Sequence, residues 1–249
     1  MPKKRKTRVK RGHPVSLLIG LHDDRAVFWR IFSERIKPDI IIKRGRKRKY
    51  QDSKQLYHFH EEIVDKIRSV IREGIKSNLI VSPPKTEYSK EFLSHVKKHH
   101  LWLLKKGKNT VVFNEIVGSA KTQEEVSYLV QNEYFKEAVE DVSNQEAMLI
   151  LEDLDELINK PNKYSKILYT VAEIEKEIDK KWKNYEVKPN YIILTDEYLK
   201  NHRKRNRTYR ILQIAKNHGI KTKIVNAESD AGVKVEMFGG LVCFTKRDL

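Results

Sequence analysis

Six cations in seven positions form the densest chemical feature of the sequence: Lys43, Arg44, Arg46, Lys47, Arg48 and Lys49, followed by Tyr50 and Gln51. Arginine forks two donors onto one phosphate, while lysine acts as a point charge. Gly45 lets the backbone come close to a ligand. Tyr50 offers a stacking face of the kind that single-stranded or looped RNA uses. The residue types point to contact with a nucleic acid; the bland alternative is a solvated loop.

Two further segments share this character. The first twelve residues carry Lys3, Lys4, Arg5, Lys6, Arg8, Lys10 and Arg11. Residues 203–210 carry Arg203, Lys204, Arg205, Arg207 and Arg210, interleaved with Asn206, Thr208 and Tyr209. This last segment falls at a helix start, where backbone N–H groups also meet phosphate. The three segments hold eighteen cations and no acid against a net charge of +17, so the remainder of the chain is one unit negative. A generally basic surface would not be distributed in this way. Concentrated like charge repels itself and persists most easily against a polyanion. Binding of that kind weakens steeply with salt, because each phosphate contact releases a counterion.

Other chemistry is poorly supported. His58 and His60 stand two apart and face different sides of a helix. His95 and His99 lie at i, i+4 and share a face with Glu91, but no neighbouring acid or histidine completes a metal set, so no metal is expected. There is no glycine-rich phosphate loop, HExxH or GxSxG, and no cofactor is expected. The one cysteine, Cys243, excludes an internal disulfide and a four-cysteine zinc site. It lies in an apolar strand and reads as a small core residue. No run of 18 apolar residues exists, so no membrane partner is expected. The basic N-terminus lacks an apolar segment after it and is not a secretory signal. A reducing, cytoplasmic setting follows. Pro2–Lys6 also fits a nuclear import signal and is read here as a phosphate-binding arm.

The elements that must position these groups follow from hydrophobic period and punctuation. Residues 1–13 read as a disordered basic arm, 14–161 as one domain and 162–249 as a second. In the first, Val15–Leu21, Ala26–Phe32 and Asp39–Ile42 predict a meander of three strands. Leu56, Phe59, Ile63, Ile67, Val70 and Ile71 recur at helical spacing up to Gly74. Strands are expected at Asn78–Ser82 and Thr110–Asn114, and a helix over Lys90–His100. A capping box at Thr122 starts a helix at Gln123 with the stripe Val126, Leu129, Val130 and Phe135. A further helix covers Glu146–Asn159. In the second domain Thr170 opens another capping box. Tyr191–Leu194, Lys223–Asn226 and Leu241–Phe244 read as strands, Asn206–His218 and Glu228–Phe238 as helical. The alternation predicts an α/β sandwich with a largely parallel sheet. Gly232, Gly239 and Gly240 are expected at turns with positive φ or at tight strand entry, or else on a partner-binding surface.

The stretch Val225-Asn-Ala-Glu-Ser-Asp-Ala-Gly232 followed by Phe238-Gly-Gly-Leu-Val-Cys-Phe244 resembles the last domain of archaeal and eukaryotic Pelota and class I release factors. Tyr169-Thr-Val-Ala-Glu-Ile-Glu-Lys-Glu177 looks like the helix that opens that domain. Arg46-Lys-Arg48, Phe59-His-Glu-Glu-Ile-Val64 and Asn114-Glu-Ile-Val-Gly118 are similar to the basic loop, following helix and later strand of the Pelota central domain. The resemblance covers about residues 14–249. It implies an RNase H-like central-type domain, then a smaller α/β sandwich related to kink-turn-binding ribosomal proteins. It implies ribosomal RNA or tRNA as partner, and a translational GTPase or the recycling ATPase meeting the C-terminal domain.

Two departures shape the expected function. Nothing before Pro14 matches the family's decoding domain, which argues against codon-dependent action. The Gly-Gly-Gln tripeptide of release factors is also missing; the matching loop reads Gly45-Arg-Lys-Arg-Lys-Tyr-Gln51. Expected first is a non-catalytic RNA-binding factor in ribosome rescue, recycling or quality control. The alternatives are a peptidyl-tRNA hydrolase with Gln51 positioning water, and a stand-alone module for structured RNA.

Overall fold

The computed structural model describes residues 12–33, 35–45, 52–161, 163, 165–180, 187–201 and 205–245. Its first sheet has the order β3-β2-β1-β4-β5. The strands are β1 Pro14–Leu21, β2 Arg25–Phe32, β3 Arg35–Lys43, β4 Ser77–Ser82 and β5 Val112–Val117. The first three pair antiparallel as the expected meander, and β4 and β5 add in parallel. This is the RNase H-like arrangement. β1 is buried on both faces. Leu17, Ile19 and Leu21 pack against α1 (Asp52–Arg72) and α2 (Tyr88–His99), while Leu18 faces α3 (Gln123–Leu129) and the first half of α4 (Glu133–Asn159).

β3 begins four residues before the expected Asp39 and runs through Pro38. It is an edge strand, so Pro38 forfeits no ladder bond on its outer side. β5 is shifted toward the C-terminus of the expected segment, because its parallel register with β4 runs from Ser77↔Val112 to Ser82↔Val117. The Thr122 capping box forms with both reciprocal bonds, to and from Glu125. Its helix stops at Leu129, however, and Phe135 belongs to α4, whose N-cap Asn132 accepts from the Tyr134 N–H at 2.9 Å.

The second sheet has the order β6-β9-β7-β8, with β6 Lys166–Leu168, β7 Tyr191–Thr195, β8 Lys221–Val225 and β9 Leu241–Thr245. Only β7 and β8 run parallel; β9 is antiparallel to both neighbours, which corrects the expected largely parallel sheet. The reason is the connection. β8 ends beside Thr195 and β9 starts beside Leu194, at the same end of the sheet. The intervening helix α8, Asp230–Glu236, has seven residues and spans roughly 10 Å, too short to carry the chain back for a parallel return. Gly239 and Gly240, with φ of 86° and 79°, make the reversal. α5 (Val171–Ile178), α6 (Asp196–Asn201) and α7 (Arg205–Asn217) cover one face; α8 and the second half of α4 cover the other. Cys243 is fully buried among them, and burial pushes its thiol up to about 12, as a core residue rather than a nucleophile.

α4 therefore serves both layers. Phe135, Ala138 and Val142 pack on the first sheet; Ala147, Ile150, Leu151, Leu154 and Leu157 pack on the second. Between the two stretches sits Glu146, 1 % exposed. Its carboxylate accepts from the Lys76 N–H at 2.9 Å and the Ser77 hydroxyl at 2.8 Å, on the first sheet's side. The expected helix begins only at Glu146 and omits the turns that seat on the first sheet. Among the described residues no helix is long and apolar enough to cross a membrane.

Candidate nucleic-acid interface

The basic loop leaves the sheet at Lys43, the last residue of β3, which is exposed and pairs with Arg25. Arg44 follows and turns inward. Its N–H donates to the Asp24 carbonyl at 2.8 Å, and its side chain is only 7 % exposed, with Nη1 3.9 Å from Asp23. Arg44 thus fastens the base of the loop to the β1–β2 turn, while Lys43 presents its charge to solvent. Arg46, Lys47, Arg48, Lys49, Tyr50 and Gln51 lie outside the described residues, as do Lys3, Lys4, Arg5 and Lys6.

The third basic segment opens α7. Arg203 and Lys204 lie outside the described residues. Arg205 is exposed, with its guanidinium 5.6 Å from the centre of the Tyr209 ring. Tyr209 is 44 % exposed, so its ring faces out rather than into the core. Arg207 is engaged within the chain: Nε donates to the Glu175 carboxylate at 2.7 Å, tying α7 to α5. Arg205, Tyr209 and Arg210 line a cleft of about 2120 Å³ between the two sheets. Arg35, Lys136 and Lys216 add further cations to its walls; Glu140 and Asp196 add acids. Asp196 is engaged by Lys200 and accepts from the Ala227 N–H at 3.0 Å.

The two basic regions are not brought together. The cleft opens at the Phe32–Arg35 end of β2 and β3, whereas Lys43 stands at the opposite end of β3. A nine-residue strand separates them by roughly 27 Å. A ligand touching both must be extended on that scale, as a folded RNA is and a small molecule is not.

The histidines assemble differently from their sequence spacing. His95 finds its carboxylate partner outside its own helix. Its Nε2 lies 2.8 Å from Glu61 Oε1, and His100 Nε2 lies 2.8 Å from the same oxygen. Glu61 comes from α1, more than thirty residues away, so no local spacing signals it. Burial raises the Glu61 carboxyl, but hydrogen bonds from His100 and His95 outweigh it and hold the group below its ordinary value. Burial lowers His95 despite the attraction of Glu61, and lowers the neighbouring His60 to about 4.

With this geometry in place, the class of the fold is defined: it is Pelota-like, with two α/β layers in succession. Archaeal Pelota, in a model of ribosome-bound archaeal Pelota and ABCE1, matches with a TM-score of 0.56 at 14 % identity, over 99 % of this chain and 65 % of that one. Dom34 of S. cerevisiae, described as a translation termination-like factor in RNA quality control interacting with Hbs1, matches at TM-score 0.47 and 16 % identity, over 94 % of this chain and 63 % of that one. Archaeoglobus fulgidus Pelota matches at TM-score 0.38 and 17 % identity, over 95 % and 65 %. The chain spans under two thirds of the length of each of these structures. No protein-family model and no curated protein matches the sequence.

Proposed function

We propose that this protein is an RNA-binding factor of translation that associates with ribosomal RNA or tRNA and acts without catalysis in ribosome rescue, recycling or quality control. One observation carries the reading: a Pelota-like fold presents cations at two places about one strand length apart, on a body that is otherwise close to neutral. Lys43, Arg46, Lys47, Arg48, Lys49 and Tyr50 contact RNA on one side; Arg205, with Arg203 and Lys204, contacts it on the other. The N-terminal arm, Lys3 to Lys6 included, adds unspecific phosphate contacts. Residues 14–161 and 162–249 form the two functional units, and the protein works in the cytoplasm. The second unit meets a translational GTPase or the recycling ATPase, as the partners in the neighbours' descriptions suggest.

The test is co-sedimentation with purified ribosomes at low and moderate salt. The chain pellets with ribosomes at low salt and is released as salt rises. A variant with Lys43, Arg46, Lys47, Arg48 and Lys49 changed to Glu stays in the supernatant. Sedimentation of that variant like the unaltered chain removes the loop from the interface.

A further inference from the structure

We propose that Glu61 Oε1, His95 Nε2 and His100 Nε2 form a binding site for one divalent ion of the zinc class, which clamps α1 to the C-terminal end of α2. The three donor atoms lie within 4.8 Å of one another, and both imidazole nitrogens sit 2.8 Å from the one carboxylate oxygen. In a tetrahedral site with bonds of about 2.0–2.1 Å, neighbouring ligand atoms are about 3.3–3.4 Å apart. Each imidazole nitrogen needs to draw back from the carboxylate oxygen by only about half an ångström for an ion to enter. Two imidazoles and a carboxylate are a zinc ligand set that leaves one position for water.

The backbone holds this convergence. α2 ends at His99, and His100 leaves helical geometry at φ −131°, ψ 44°, while its N–H still donates to the Val96 carbonyl at 2.8 Å. That turn brings a residue at i+5 from His95 back to the same point, which a continuing helix would not do. The surroundings have the character of an outer shell. The Tyr57 hydroxyl hydrogen-bonds Glu61. The His60 and His99 rings lie 5.1 Å and 4.9 Å from His95. Ligating carboxylates are commonly steadied by a hydrogen bond of the kind Tyr57 makes. His95 also lines a surface cleft of about 490 Å³ with Tyr57, His60 and Glu91, which gives an ion a path of entry. A purely hydrogen-bonded network explains one imidazole on the carboxylate readily. Two on the same oxygen, both buried and drawn from a helix end that turns back to reach it, bring three metal-type donors to one point. The inference stands whether or not the chain meets RNA.

The experiment uses the full chain, freed of metal with a chelator and titrated with Co²⁺, whose visible bands report coordination. Binding saturates at one ion per chain, and Zn²⁺ displaces the cobalt and raises the melting temperature in a concentration-dependent way. His95→Ala, His100→Ala and Glu61→Gln each weaken Co²⁺ by at least about 100-fold, since removal of a direct ligand exceeds removal of an outer partner. Lys97→Ala, at an exposed position of α2 outside the site, keeps it. Glu61→Gln preserves shape and an acceptor oxygen, so it decides the matter if the alanine variants fail to fold. Two results overturn the proposal. One is a folded wild-type chain that takes up no stoichiometric Co²⁺; the other is Co²⁺ binding that persists undiminished in folded Glu61→Gln.

Discussion

The Lys223 ammonium, in β8, donates to the Glu146 carboxylate, in α4, at 2.5 Å, with the two side chains 5 % and 1 % exposed. Because Glu146 also accepts from Lys76 and Ser77, one carboxylate links the first sheet to the second. Breaking a buried pair from one side leaves an uncompensated charge, which costs about 3–5 kcal/mol. Glu146→Ala should therefore lower the urea midpoint substantially. It should also split unfolding into two steps if the pair is what couples the sheets. A single transition with an unchanged midpoint would remove the linking role from Glu146.

His13 precedes β1 on the wall of the cleft between the sheets. Burial lowers its imidazole to about 4, with Lys223 adding to the effect. Its unfolded value is about 6.5. The unfolded chain then binds the extra proton first as pH falls. The contribution of His13 to stability is full above pH 6.5 and disappears between about 6.5 and 4. His13→Gln should flatten this part of the stability profile, and NMR titration of the ring should show no change above pH 5.5 or so. A ring titrating near 6.5 in the folded chain would refute it.

Gly232 and Gly239 need glycine for different reasons. A Cβ at Gly232 would lie 1.9 Å from the Asn226 carbonyl oxygen and 2.7 Å from the Ala227 backbone. A Cβ at Gly239 meets nothing within 4 Å, but the residue has φ of 86°. Gly239→Ala should cost about 1–2 kcal/mol, the penalty of left-handed backbone. Gly232→Ala must displace main chain in the β8–α8 turn and should cost more, about 3 kcal/mol or beyond. Thermal unfolding of the two variants gives the order directly.

Local chemistry makes much of this fold readable. The capping boxes at Thr122 and Thr170 form as their four-residue patterns demand, and β1, β2, β7 and β9 stand within a residue or two of the apolar runs that announce them. The remainder is decided by tertiary contact. β6 is three residues long and exists because Lys166–Leu168 pairs with Cys243–Thr245. The first turns of α4 are obscured because its apolar stripe faces one sheet at Phe135 and the other at Leu151. The meeting of Glu61 with His100 joins two helices and has no sequence period at all. Likewise, Arg44 and Arg207 read as phosphate ligands by type and turn toward Asp23 and Glu175 instead.

That last distinction separates cations that build the protein from cations that meet a ligand, and it predicts how they differ on RNA. Lys43 and Arg205 are exposed at the two ends of the proposed interface. Replacing either with Glu should weaken binding to tRNA or rRNA fragments across sequences and reduce the slope of log affinity against log salt by roughly one for each phosphate no longer touched. Melting temperature should stay within a degree or two, since exposed single charges contribute little to stability. Arg207→Glu should behave in the opposite manner. It sets two carboxylates against each other between α5 and α7, where the present bond from Arg207 to Glu175 is 2.7 Å, so the melting temperature falls. The restoring charge swap, Glu175→Arg combined with Arg207→Glu, should recover stability while leaving the salt slope near that of the unaltered chain. Filter binding over a salt series, read beside thermal melts of the same preparations, tests both halves. Equal salt slopes for Lys43→Glu, Arg205→Glu and the unaltered chain would mean that these two cations do not touch phosphate.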